Sequence, residues 1–162
     1  MNATSTGGAD AHNLPAIGTV LSSDWVLVTQ DMIDSFSKAT LDADPMHVNA
    51  EFASKGPFGG TIAFGFLTMS LMTHMMNNAT GHKGTVSFDD GYYLNYGFDR
   101  LRLVSPVPVN SRVRGIFTLK DRKPGEHGRI VQRFDTVIEI ENQERPAAVA
   151  EWLSIFMPPG KL

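Results

Sequence analysis

The sequence predicts an α+β domain in which a curved antiparallel sheet wraps one long helix, and three observations carry that prediction. One long apolar run, residues 61–77, is greasy on nearly every side, which is the pattern of a helix buried over most of its circumference. After it, residues 92–104, 112–121, 128–141 and 147–157 each alternate with period two, the pattern of antiparallel strands with one wet face. Finally, 162 residues are enough chain for one hydrophobic core rather than two.

Taken in order, residues 1–13 are rich in Gly, Ala, Thr, Ser and Asn. They have neither a basic start nor an apolar centre, so a flexible leader is expected and a signal peptide is not. One domain then covers residues 14–162. Residues 17–28 hold two short apolar runs, IGTVL and WVLV, split by Ser22, Ser23 and Asp24, which predicts short strands. Thr29 can cap a helix whose Met32, Ile33, Phe36 and Ala39 share a face, ending near Thr40. In the next stretch, LDADPMHVN, Pro45 disfavours helix at Asp44, so a loop with fixed side-chain directions is expected. A helical turn over residues 50–55 follows. Gly56, Pro57, Gly59 and Gly60 then punctuate the chain before the long helix.

Residues 81–91 read as a loop. In the second alternating run Val113, Gly115, Phe117 and Leu119 share one face, and Arg112, Arg114, Thr118 and Lys120 share the other. Turn chemistry in residues 123–128 and 142–146 joins successive strands. No internal repeat, heptad or low-complexity tract interrupts this order. It is the coarse shape of a hot dog fold.

Composition narrows the function. With 14 Lys and Arg against 17 Asp and Glu, net charge −3, the chain lacks the basic surplus of a dedicated nucleic-acid binder. No cysteine is present, which removes disulfides, thiolate metal sites and cysteine nucleophiles and suits a cytoplasmic protein. The apolar run at 61–77 is shorter than the roughly 20 residues of a bilayer span, so no membrane partner is expected.

The chemistry concentrates in DADPMH. Asp42 and His47 lie five apart, with Asp44 between them and Pro45 stiffening the backbone. A carboxylate and an imidazole brought to one point can hold a water, take its proton and deliver one to a neighbouring carbon. Asp42, Asp44 and His47 could instead hold a divalent ion, but no fourth ligand stands at a readable distance. The GPFGG turn lacks the Lys and Ser/Thr of a P-loop, and no G-x-S-x-G elbow is present.

The stretch DADPMHVNAEFASKGPFGGTIAFGFLTMSL resembles the signature of the MaoC-like dehydratases, which include the R-specific enoyl-CoA hydratases. In that family an Asp, four intervening residues and a His precede a glycine-rich turn and the buried helix. Here D-A-D-P-M-H leads to FASKGPFGGTIA and then G-F-L-T, and a looser likeness continues through NYGFDRLRLVSPVPVNSRVRG. The resemblance implies a hot dog domain that reversibly hydrates trans-2-enoyl-CoA to (R)-3-hydroxyacyl-CoA and works as a homodimer with joined sheets. It implies Asp42 and His47 as the catalytic pair and the N–H of Gly65 as the oxyanion donor. No metal or separate cofactor is implied, since coenzyme A is part of the acyl-CoA substrate. Two positions depart from the pattern: Asp44 stands where the family commonly has Asn, and Phe64 where many members have His in I-A-H-G.

Asp44, Phe64, Asn95, Tyr96, Arg100 and Arg102 are the expected substrate contacts around this centre. Arg100 and Arg102, two apart on one strand face, could meet coenzyme A phosphates or simply face solvent. Asn95 and Tyr96 could line the site or sit at an edge. Met69, Met72, Met75 and Met76 read as core packing, and His74 as structural. Because one fold hosts many functions, an acyl-CoA thioesterase and a non-catalytic acyl-CoA or protein-binding module remain alternatives.

Overall fold

The computed structural model describes residues 14–82 and 88–160. The expected leader, residues 1–13, lies outside them, as do residues 83–87 of the expected 81–91 loop. Two short strands, β1 (Val20–Ser22) and β2 (Val26–Leu27), open the fold, and both pair antiparallel with β4 (Arg112–Pro124). Helix α1 (Gln30–Thr40) starts where its cap predicts, because the Thr29 hydroxyl accepts the N–H of Met32. Ile33 is fully buried and Met32 and Phe36 pack against the core, while Ala39 is exposed. The helix stops at Leu41, whose left-handed backbone (φ 62°) costs a non-glycine residue about 1 kcal/mol.

The stretch expected to be loop contains a one-turn helix, α2 (Pro45–Val48). Pro45 keeps Asp44 non-helical, but a proline suits the first helical position, where its missing N–H would have no partner. A second short helix, α3 (Ala50–Ser54), follows as expected. The central helix α4 (Gly65–Thr80) begins later and ends later than the apolar run. Residues 61–64 are extended instead: Ala63 N–H donates to the Val107 carbonyl (2.8 Å), Val109 N–H donates to the Thr61 carbonyl (2.9 Å), and Ile62 bridges Pro108. Beyond Thr80, Gly81 takes a left-handed φ of 70° and closes the helix.

Nor is α4 buried all round. Leu67, Thr68, Met72 and Met75 are buried, while Phe66, Ser70, Thr73 and His74 are exposed. One chain's sheet covers only one side of its helix, and apolar residues on the other side stay in solvent.

The sheet has the order β1-β4-β5-β6-β3, with β2 also on β4. The remaining strands are β3 (Tyr92–Leu103), β5 (Ile130–Ile140) and β6 (Ala148–Met157). In β4 the expected inner face is observed: Val113, Gly115, Phe117 and Leu119 are all buried. The outer face carries cross-strand charge pairs such as Arg114 with Glu139 (2.6 Å) and Lys120 with Asp135 (3.4 Å). Strand β3 sits at the sheet's edge and runs back along α4. Asn95 Nδ2 donates to the Thr73 hydroxyl at 3.2 Å, and Leu103 lies over Gly65.

Candidate active site

Local hydrogen bonds shape the segment that carries Asp42. The Ser37 hydroxyl donates to the Asp42 carbonyl (2.6 Å), pinning the loop to the end of α1. Asp42 Oδ1 accepts the N–H of Asp44 at 3.2 Å, and the residue is exposed. Asp44 Oδ1 in turn accepts the N–H of Met46 at 2.9 Å. Asp44 is therefore the cap of α2, the use that Asp side chains serve at helix starts.

His47 sits on α2 and is anchored to the extended segment before α4. Its Nδ1 lies 2.7 Å from the Ile62 carbonyl oxygen. A carbonyl can only accept, so Nδ1 carries the hydrogen and the neutral ring presents Nε2 as an acceptor. The Phe64 ring stacks on the imidazole with centroids 3.9 Å apart, and Phe36 backs Phe64 at 5.3 Å. Phe64 is itself 4% exposed. It is a packed wall that fixes the plane of the imidazole.

The residue after Phe64 is Gly65, the first residue of α4, and no side chain caps this helix. The first N–H groups of a helix lack intrahelical acceptors and carry partial positive charge. A Cβ on Gly65 would fall 2.2 Å from Leu103 Cδ1, so glycine permits the close approach of β3 there. Imidazole and helix terminus are thus joined through one stacked residue.

Gln30, which sequence reasoning passed over, ties these parts together. Its Nε2 donates to the Asp34 carboxylate (2.8 Å) and to the His47 carbonyl (2.9 Å), and its Oε1 accepts from the Thr61 hydroxyl (2.6 Å). One amide clasps α1, α2 and the extended segment. Partners 17 and 31 residues away leave no local signal.

The other expected contacts are spread along β3. Asn95 lines a cavity of about 540 Å³ between the second half of α4 and strands β3, β5 and β6. Tyr96 points the other way and lies under the Arg129 guanidinium, 5.8 Å from its ring centroid. Arg100 Nε stands 3.7 Å from Glu151, and Arg102 donates to the Leu101 carbonyl at 2.9 Å. Leu101 packs against the core, so by alternation Arg100 and Arg102 face away from α4.

Asp42, His47 and Gly65 do not line the cavity. Thr73, on its wall, is eight residues along the helix from Gly65, an axial distance of about 12 Å. Tyr93 also lines the cavity; partial burial pushes its phenol up from the usual range, against the opposing pull of Arg122. Among the described residues, no cluster of three His, Asp or Glu side chains could hold a metal ion. Among them too, no helix is long and apolar enough to cross a membrane.

Comparison with known proteins agrees with this architecture. The MaoC like domain family matches residues 12–141. Nodulation protein N of Rhizobium leguminosarum bv. viciae is 44% identical over 135 residues, which cover 83% of this chain and 81% of that protein. The 3-hydroxyacyl-thioester dehydratase Z of Mycobacterium tuberculosis (strain ATCC 25618 / H37Rv) is 38% identical over 129 residues, 80% of this chain and 82% of that one. Among solved structures, the (R)-hydratase from A. caviae involved in PHA biosynthesis superposes with a TM-score of 0.70 at 18% identity, covering 88% of this chain and 97% of that one. That likeness is one of fold, and the fold is the hot dog.

Proposed function

This chain belongs to the MaoC-like dehydratase family, and from that premise we propose that it is a hydro-lyase which reversibly hydrates trans-2-enoyl-CoA to (R)-3-hydroxyacyl-CoA. The observation that carries the reading is His47, whose Nδ1 is committed to the Ile62 carbonyl and whose ring stacks on the residue preceding the uncapped start of α4. A base and an oxyanion donor are needed side by side when water adds to a conjugated thioester, and this juxtaposition supports reading His47 and the Gly65 N–H in those roles.

In the proposed reaction Asp42 and His47 orient a water, and His47 Nε2 takes one of its protons. The oxygen bonds to the β-carbon while the double-bond electrons move toward the thioester oxygen, and the Gly65 N–H stabilises the resulting enolate. The enolate then collapses and its α-carbon takes the proton back from the imidazolium, so that water has been added and the catalyst restored. Neither a metal nor a separate cofactor enters this scheme. We place the reaction in the cytoplasm, in keeping with the cysteine-free composition, and assign the working unit to a homodimer joined through β3.

The test follows loss of the conjugated enoyl-thioester absorbance and release of free thiol separately. Asp42→Asn and His47→Gln should each reduce hydration by about a hundredfold or more, with binding of a saturated acyl-CoA retained. Thiol release matching the absorbance loss would make the protein a thioesterase. No turnover of short, medium or branched enoyl-CoA by the intact chain would end the enzyme reading.

A further inference from the structure

The cavity beside α4 has a mixed wall, in which Phe134, Trp152, Phe156 and Met76 stand beside polar residues such as Thr73, Asn77 and Asn95. Gln132 differs from the other polar residues in how deeply it is buried. It lines the same cavity, is 1% exposed, and its buried Nε2 has no hydrogen-bond partner among the described residues. A buried amide hydrogen left without an acceptor is costly, and such groups in folded proteins are paired with protein, water or ligand. Ser154 stands directly across from Gln132 in the β5–β6 register, so a second polar group shares that patch of the inner face. The terminal torsion of a Gln side chain is broad, which allows its N–H to turn toward the cavity.

We propose that this cavity selects acyl chains bearing a neutral oxygen acceptor, a keto or hydroxyl group, in their distal half, with Gln132 as the donor. The assignment of the occupant as an acyl chain rests on the hydratase reading. The selection itself rests on Gln132. Among the described residues no Lys or Arg lines the cavity, while Asp90 and His82 do, so a terminal carboxylate would meet Asp90 with only the His82 imidazole to offset it. A plain hydrocarbon would leave the Gln132 donor unsatisfied. The separation of about 12 Å between Gly65 and Thr73 along the helix places the oxygen in the far half of the chain, away from the reacting carbons.

The probes are saturated decanoyl-CoA and a series of the same thioester with one keto oxygen at successive distal positions. Saturated thioesters have no double bond to hydrate, and free-thiol release is followed alongside to exclude hydrolysis, so binding is read through the fluorescence change of Trp152 in the cavity wall. The intact chain should bind the best keto compound about tenfold more tightly than plain decanoyl-CoA. Gln132→Met, which keeps the bulk and removes the donor, should erase that preference and leave plain decanoyl-CoA bound as before. Equal binding of plain and keto chains by the intact protein would overturn the proposal, since a trapped water would then serve the amide. So would a keto preference that survives in Gln132→Met. A keto preference without hydration of any enoyl thioester would sustain the cavity assignment while ending the hydratase reading.

Discussion

Gln30 touches no proposed reacting atom, yet it holds the backbone of His47 and the hydroxyl of Thr61 at the same time. Gln30→Leu removes these bonds together with the one to Asp34 and strands the His47 carbonyl and the hydroxyl of buried Thr61, which should cost about 1–3 kcal/mol of stability. Loosened placement of His47 should show in turnover rather than in affinity. We expect kcat to fall about tenfold, with KM changed much less, and Gln30→Glu to fail as a rescue because its carboxylate would face the Asp34 carboxylate and the His47 carbonyl. Steady-state kinetics on the intact protein and the two variants checks this, and a change confined to KM would refute a positioning role. Phe64 bears on the same geometry. A histidine there would exchange an apolar wall on the imidazole for a second polar ring, so the departure from the family pattern is a change in how His47 is held.

At the start of α4 two roles of one glycine can be separated. Ala favours a helix over Gly by about 1 kcal/mol, and the atom it would crowd is the end of an exposed, movable Leu103 side chain. Gly65→Ala should therefore leave the melting temperature nearly unchanged. It should still lower kcat/KM about tenfold, because the new methyl group stands beside the N–H proposed to meet the thioester oxygen; a thermal melt paired with the hydratase assay reads both. The position of α4 was legible in its apolar run, but that run alone put the start too early; the family resemblance is what set Gly65 at the helix start. Thr61 and Ile62 look alike in a helix and in a strand until residues 107–109 are brought alongside them, and that pairing is tertiary. Pro45 misled in the opposite direction, since the rule that forbids helix before a proline also favours helix after it. The spacing of Asp42 and His47 suggested an acid/base pair, and the family resemblance is what named it as the catalytic one. Gln132 left a fainter trace, a polar residue in phase with Phe134, Thr136 and Ile138 on the inward side of β5.

For the whole molecule the telling feature is β3, a twelve-residue edge strand that, among the described residues, is paired on one side only, to β6. Long exposed edges invite pairing with another strand, and Leu94 and Tyr96 on this one are 48% and 55% exposed. Antiparallel pairing of two copies about the strand's middle would set the Leu94–Tyr96 end of one against the Arg100–Arg102 end of the other. Leu94→Lys combined with Tyr96→Lys would then bring like charges together. The intact protein should run at the mass of two chains in light scattering, and the double variant at the mass of one with its circular dichroism unchanged. An intact protein of single-chain mass would remove the dimer from the functional proposal. Leu103, at the far end of the same strand, closes over Gly65. The strand proposed to recruit a second copy would thus also roof the proposed oxyanion position, and a chain without its mate would then work under a loose roof. Output per molecule should then climb with concentration before levelling off, making the abundance of the protein a control on its own rate.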